Sequence, residues 1–431
     1  MKAARDEEPG LSLLVHRSGE EPTLLHTGLA SLEHGLPIGP DTAFNVGSVA
    51  KQITAHLILL AARDNLLRLD QRAADLLPRL KISDVTVADL VTHRSGIRDA
   101  ESLLSLAGFR DLDHYTADDL RTLAYRQDQR AVPEGHFLYS NTNYLLLAEI
   151  LETVHRTTLR DLARHRIFGP LGMHSTHFKA DPRQVIPAAA SAYQATHHGW
   201  QHTEVPVTLP GPGTLWTTVG DLDRWLTHLH QHWRHPHQLP WQEAVDYEPS
   251  DHEPYLYGPG LYADARPDRT AVFHYGHEQG FSAAAHVEAS GLRMIVLSNN
   301  AGLSADRVTA AILRDLHQQP TLAPKEALVR AAALERTPGA AVRPQPTLDD
   351  WSQHTELGTF ICDQAPGSLR LTRSADALHL WRRGTRDQLT PLRPGVYASN
   401  GYILTLASST DQADRFTLDL DRAPGLTYIR Q

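Results

Sequence analysis

Apolar residues recur along this chain in two rhythms. Leu11 to Val15 is a short apolar run, followed by a Ser18–Gly19 turn and a second run near Thr23 to His26, which predicts two strands joined tightly. Gly28 to Pro40 is rich in Gly and Pro and reads as a loop. From Ser48 the period changes: Ile53, Leu57, Leu60 and Ala61 fall at helical spacing, and Asp64–Asn65 marks the end of a long amphipathic helix. Val85 to Val91 begins another helix that stops at Ser95–Gly96, and Ala100 to Arg130 is helical and polar. Tyr144 to Val154 is so apolar that its helix should be buried. Thr218 and Asp221 form a capping-box signature for a helix over Leu222 to Leu229. Val272 to Tyr275, Ala283 to Val287 and Arg293 to Leu297 read as strands, and Val308 to His317 as a closing helix. Strands at both ends with helices between predict one sheet whose halves come from opposite ends of an α/β (α+β) domain.

The texture then changes. Thr337 to Pro346 carries Pro, Gly and Ala with little periodicity, as a linker does. After it, Ser368 to Thr372, Ala377 to Trp381, Val396 to Ala398, Tyr402 to Leu406, Phe416 to Leu420 and Leu426 to Ile429 are short alternating runs between turns. They predict an all-β unit, a small barrel or a sandwich. The expected organisation is a large domain over 1–335, a linker over 336–347 and a β domain over 348–431.

Length agrees with two domains, since 431 residues exceed one ordinary core. The formal net charge of −9, with no Lys/Arg run interleaved with aromatics, argues against a nucleic-acid partner. No stretch approaches the roughly 20 apolar residues of a membrane helix. Cys362 is the only cysteine, so no internal disulfide is possible. The first residues carry charge but no apolar core of a secretory signal, which leads to the expectation of a cytoplasmic protein.

Candidate chemistry begins at Ser48-Val-Ala-Lys51. Residues three apart share a helix face, so the Ser hydroxyl and the Lys amine point into one space. A serine hydroxyl is a poor nucleophile until a base takes its proton. A lysine can be that base if its surroundings favour the neutral amine. Oriented N–H groups at the helix start favour developing negative charge. A second element, Tyr139-Ser-Asn141, lies on a loop leading into the buried helix at Tyr144. Tyr139 can relay a proton, and Asn141 can hold a substrate carbonyl or orient Lys51. A third, His274-Tyr275-Gly276, sits on a strand where Gly lets a substrate backbone lie against the edge. His274 can donate to a substrate oxygen or tune Lys51.

In order, these three elements resemble the SxxK, YxN and HxG motifs of the penicillin-recognising serine enzymes, in the class C β-lactamase-like branch with its DD-peptidases, D-aminopeptidases, D-amino-acid amidases and esterases. The separations fit: 91 residues from Ser48 to Tyr139 and 135 from Tyr139 to His274. Flanking text resembles the family too, in Thr42 to Ser48, Leu90-Val-Thr-His-Arg-Ser-Gly96, Ile167 to Met173, Gly213 to Thr218, Gly280-Phe-Ser282 and Val296 to Asn299. The resemblance covers about residues 9 to 317 and implies a β-lactamase/transpeptidase-like domain, an antiparallel sheet flanked by helices plus a helical subdomain. The tail, through Leu389-Thr-Pro-Leu392, Val396-Tyr-Ala398 and Leu426 to Ile429, is similar to the lipocalin-like barrel of D-aminopeptidase-type members.

The resemblance implies that Ser48 attacks a carbonyl and forms an acyl-enzyme, that Lys51 and Tyr139 share the proton work, and that Asn141 and His274 line the site. The oxyanion hole would use the backbone N–H of Ser48 and His277, with Tyr275 and Gly276 along the substrate. Tyr275, His277, Glu278 and Gln279 replace the family's usual small residues, which should alter the acyl donor that fits and gives no reason to expect good β-lactam turnover. Only eight residues precede Pro9–Gly10, so the helix that often opens the family fold is expected to be short or absent.

The expected function is therefore an SxxK serine hydrolase acting on an amide, peptide or ester, with a small-molecule or peptide acyl donor as partner. The alternatives are a biosynthetic acyltransferase or peptide cyclase using the same acyl-enzyme, and a non-catalytic binding protein. No cofactor is expected. Thr227 to His237 holds His228, His230, His232, His235 and His237, but no carboxylate or Cys completes a ligand set and Pro236 interrupts the segment. It is read as a solvated helix end rimming the cleft, with no metal.

Overall fold

The structure is a computed structural model that describes residues 7–109, 113–203, 207–233, 238–266, 269–319, 322–332, 355–375, 377–383, 385–399, 401–407 and 414–431. The chain divides into two compact units, Met1–Asp70 with Leu147–Ala341 and Gln71–Leu146 with Val342–Gln431.

The first unit is built on one antiparallel sheet. Its strands are β1 (Leu11–His16), β2 (Thr23–Thr27), β3 (Glu248–Pro249), β4 (Leu256–Tyr257), β5 (Tyr262–Arg266), β6 (Arg269–Glu278), β7 (Phe281–Glu288) and β8 (Arg293–Ser298), in the order β3-β4-β5-β6-β7-β8-β1-β2. β1 pairs with β8 in the register Leu13↔Val296, so the two ends of the domain meet in one sheet as the strand–helix–strand order predicted. All six residues of β8 are buried, which accounts for its continuous apolar run: both sheet faces are covered. On one face Leu11, Leu13, Val15, Met294 and Val296 pack with Val308, Ile312 and Leu316 of the helix Ala305–Gln318. The helix Val219–Gln231 packs on β7 and β8 as well.

The second unit joins a helical segment to a closed barrel. The barrel strands are β9 (Thr355–Ile361), β10 (Ser368–Arg373), β11 (Leu378–Arg382), β12 (Thr385–Arg393), β13 (Val396–Ser399), β14 (Tyr402–Leu406), β15 (Arg415–Leu420) and β16 (Ala423–Arg430). β9 closes on β16 through Phe360↔Arg430 and Ile361↔Ile429, which leaves no open sheet edge. Phe360, Leu371, Leu380, Leu404, Phe416, Leu418 and Tyr428 are buried, as an eight-stranded barrel filled by side chains requires. Of the two all-β forms, the chain adopts the barrel.

Three expectations change in detail. Among the described residues, the polar stretch Ala100 to Arg130 holds two helices, Ala100–Leu106 and Ala117–Arg126. Gly108, at φ +87°, stops the first, and the reciprocal Thr116–Asp119 capping box starts the second. Thr218 does cap its helix, accepting from the Asp221 N–H at 3.2 Å. The Asp221 carboxylate, however, accepts from the Ser175 N–H and the Thr176 hydroxyl and closes no reciprocal box. Finally, β9 and β12 escaped the pattern. β12 buries only Leu389 and contains Pro391, while β9 is bulged between Glu356 and Gly358. The expected linker 336–347 and residues 1–6 lie outside the described residues.

Candidate active site

In the first unit the candidate nucleophile follows a short strand, Phe44–Asn45, held in register by Leu215–Thr217. Val46 donates its N–H to the Leu215 carbonyl at 2.9 Å, and Asn45 Oδ1 accepts the Gly47 N–H at 3.0 Å. Gly47 has φ +48°, a left-handed conformation that costs glycine little. This sharp turn lets Gly47–Val49 coil as one tight turn into the helix α1 (Ala50–Arg63). β6 meets the turn backbone to backbone. A Cβ on Gly276 would lie 1.9 Å from the Val46 carbonyl oxygen and 3.0 Å from the Ser48 nitrogen. One on Gly47 would lie 3.0 Å from the His277 nitrogen. The backbones of Ser48 and His277 thus converge, as an oxyanion hole built from these two residues requires.

Lys51 is fully buried on α1. A buried cationic side chain demands acceptors. Its Nζ donates to Ser48 Oγ at 2.8 Å and to the Pro212 carbonyl at 2.9 Å. At that separation one hydrogen bond serves either direction: the ammonium donates to Oγ, and the neutral amine accepts the hydroxyl proton. The Gly211–Pro212 strap is itself tied to α1, because Thr54 Oγ1 donates to the Gly211 carbonyl at 2.9 Å. Gly260 presses from elsewhere, and a Cβ there would stand 2.6 Å from the Lys51 carbonyl.

His274 lies on the same face of β6 as Gly276, two residues away, and is buried. Its Nδ1 is 2.6 Å from the Tyr275 carbonyl, which only accepts, so that nitrogen carries the proton. Its Nε2 is 3.4 Å from the Tyr257 hydroxyl. Tyr275 points to the opposite face, where it packs against the core with Leu313 and where burial raises its phenol above the ordinary tyrosine range. Contact between residue 275 and a substrate would therefore run through its backbone. Pairing with β5 ends at Phe273, so among the described residues His274–Glu278 has no strand neighbour on that edge. The His277 side chain is exposed, with Nε2 3.8 Å from Asp306, whose carboxyl it holds below the usual range.

Tyr139 and Asn141 belong to the second unit. The Leu90–Gly96 segment, read above as a helix end and for its likeness to a family sequence, is what holds them. Buried His93, at φ +59°, takes the Leu138 N–H on its carbonyl at 2.8 Å and the Ser140 N–H on Nδ1 at 3.2 Å. Asn143 Nδ2 lies 3.1 Å from the same Nδ1, and its Oδ1 accepts from the Ser95 hydroxyl at 2.6 Å. The His93 and Tyr139 rings are 4.3 Å apart. Asn141 begins the helix Asn141–His155, giving its N–H to Asp99 at 2.7 Å and its Nδ2 to Glu101 at 2.7 Å. Sequence reasoning named Tyr139 and Asn141 but missed Asp99 and Glu101, because no local period links positions about forty residues away.

The histidine-rich segment needs a correction. His235 and His237 lie outside the described residues, and His228 and His232 do not form a solvated helix end. They are half-buried, with their Nε2 atoms 3.4 Å apart, and they pack around buried His56 of α1 together with Trp225 and Trp241. His56 was unforeseen, since its apolar neighbours hid it in the α1 pattern. Burial, with His228 and His232 nearby, pushes the His56 imidazole down to about 3. Among the described residues no group of three or more His, Cys, Asp or Glu is arranged to hold a metal. Also among the described residues, no helix is long and apolar enough to cross a membrane.

A family model described as Beta-lactamase matches residues 2–319. The chain belongs to the Beta-lactamase family. Similar members include a D-aminopeptidase from Gluconobacter oxydans, 25% identical over 80% of this chain and 66% of that protein. The chain spans two thirds or less of the length of the curated relatives it matches first. Among solved structures, the octameric penicillin-binding protein homologue from Pyrococcus abyssi superposes with a TM-score of 0.62 at 20% identity, covering 100% of this chain and 97% of that one. D-amino acid amidase from Ochrobactrum anthropi SV3 superposes with a TM-score of 0.63 at 22% identity, over 74% of this chain and 98% of that one. At these identities the two structures speak for the fold, the first of them over the barrel as well.

Proposed function

We propose that this member of the Beta-lactamase family is a serine hydrolase that cleaves an amide, peptide or ester through an acyl-enzyme on Ser48. The observation that carries the reading is the fully buried Lys51 amine 2.8 Å from Ser48 Oγ at the foot of α1. The amine takes the hydroxyl proton as Oγ attacks the carbonyl. The N–H groups of Ser48 and His277 receive the oxyanion, and preorganised donors of this kind are worth about 3–4 kcal/mol each. Tyr139 returns a proton to the leaving group, Asn141 orients the acyl chain, and the His274–Glu278 edge takes the substrate backbone.

Amides whose acyl donor carries a D-amino acid are the class to try first, because a D-aminopeptidase and a D-amino acid amidase are among the similar proteins. A panel of D- and L-aminoacyl amides and esters, with a fluorophosphonate as label, tests the reading. Labelling at Ser48 with turnover of a D-donor is the expected result. No label and no turnover would leave a non-catalytic binding protein. Product formed only when an amine is added would identify an acyltransferase or peptide cyclase working through the same acyl-enzyme.

A further inference from the structure

The last hairpin of the barrel bears on a motif residue of the helical segment in the same unit. β15 and β16 are joined by only two residues, Asp421 and Arg422, with Leu420 paired to Ala423. Arg98, 5% exposed, clamps this hairpin. Its Nε donates to the Pro424 carbonyl at 2.7 Å, its Nη2 to the Gly425 carbonyl at 3.3 Å and its Nη1 to Gln364 Oε1 at 2.8 Å. Gln127 fixes the backbone of Arg98, accepting its N–H at 2.8 Å and donating to its carbonyl at 3.1 Å. Asp99 continues the connection. Its N–H goes to the Arg422 carbonyl at 2.9 Å, and its carboxylate takes the Asn141 N–H at 2.7 Å. One residue therefore ties the hairpin to the Tyr139–Asn141 turn. At the end of this chain of contacts the Arg422 guanidinium stands 4.6 Å over the centre of the Tyr139 ring.

We infer that Arg422 is a positioning residue for Tyr139, so that the barrel supplies part of the acyl-transfer site. The role of Tyr139 rests on the reading above; the contact itself does not. A guanidinium over an aromatic face is held by the ring quadrupole and fixes the ring plane. Its positive charge also favours negative charge on the phenol oxygen, the form that accepts a proton from a neighbouring donor. The hairpin's rigidity matters here, because an arginine on a mobile loop would hold nothing. Three hydrogen bonds to it from two residues, Arg98 and Asp99, make it part of the frame.

The test uses the full chain with Arg422→Ala, Arg422→Lys, Tyr139→Phe and the Arg422→Ala/Tyr139→Phe double variant. Arg422 is exposed in a two-residue turn, so its side chain can change without emptying the core. Arg422→Ala is expected to lower kcat and the rate of Ser48 labelling about ten-fold, as loss of a cation–ring contact would, while KM is unchanged. Arg422→Lys should restore most of the loss, and Arg422→Ala should cost nothing further in the Tyr139→Phe background. An effect confined to KM, or one of equal size without the Tyr139 hydroxyl, would assign Arg422 to substrate and overturn the inference.

An activity-independent measurement separates this from the functional reading. The ultraviolet phenol titration, taken as the difference from Tyr139→Phe, should place the Tyr139 step at higher pH in Arg422→Ala than in the natural protein. An unmoved step overturns the inference even in an active enzyme. A moved step in a protein that never labels at Ser48 upholds the contact and refutes the hydrolase.

Discussion

The two halves of the candidate machinery are assembled by different physics. Ser48 and Lys51 are three residues apart, so helical spacing puts both side chains on one face, where Nζ stands 2.8 Å from Oγ. Tyr139 and Asn141 are two residues apart on a turn whose shape nothing local dictates. His93, Asp99 and Glu101 hold it, and the barrel hairpin braces it through Arg422. The first half is robust because it needs few partners. The second depends on contacts across as many as about 280 residues of chain, so it can be tuned or lost by changes far away in sequence.

Substitutions can break this contrast in order of severity. Ser48→Ala or Lys51→Ala should each abolish turnover, by at least about ten-thousand-fold, with the circular dichroism spectrum retained in the serine variant. Residual activity above that level would show that another group is the nucleophile. Gly276→Ala attacks the same half without touching a reacting group. Its methyl would meet the Val46 carbonyl at 1.9 Å, so the turn or β6 must shift. Misplacement of about 1 Å should cost on the order of a hundred-fold in kcat, read by steady-state kinetics beside a stability measurement.

Asp99→Ala probes the other half. It leaves the part-buried N–H of Asn141 without its acceptor, at a cost of about 1 kcal/mol in chemical denaturation. Activity per folded molecule should fall together with it, because the Asn141 turn loosens. Unchanged activity would mean that the turn is held without Asp99.

The smallest effect lies in the histidine cluster beside the nucleophile helix. His56 is held at about 3 by burial in the fold, below the 6.5 of a free imidazole, so the unfolded chain takes its proton first. Stability is then complete above about pH 6.5 and drains away as pH falls towards 3. At about 1.4 kcal/mol per pH unit for one proton, roughly 2 kcal/mol is lost between pH 6.5 and 5. His56→Phe, which can still stack on Trp241, should remove that part of the slope. Equal slopes in both proteins, measured by denaturation at pH 7 and 5, would exclude His56 as the cause.

Much of this was legible in the sequence, and the reasons differ by element. The β1–β8 pairing followed from strands at both ends of an α/β pattern, and α1 from apolar residues at helical spacing. The barrel followed from short alternating runs, yet β12 was invisible because only Leu389 of its nine residues is buried. A strand that turns one residue inward leaves no alternation to read. In the site, Ser48, Lys51, Tyr139, Asn141 and His274 were named from three short motifs. Asp99, Glu101, Pro212 and Arg422 were not, because each acts through contacts that are long-range in sequence.

By itself, then, the sequence determined the family, the strand and helix rhythm and the Ser48–Lys51 pair, since a fixed helical rise turns a spacing of three into a shared face. Only the tertiary structure decided that Lys51 would be wholly buried against the Pro212 carbonyl, that His56 would gather His228 and His232 around it, and that the barrel would lay Arg422 over Tyr139. Those contacts come from strand register, burial and chain closure, which sum over hundreds of residues and have no local period to announce them.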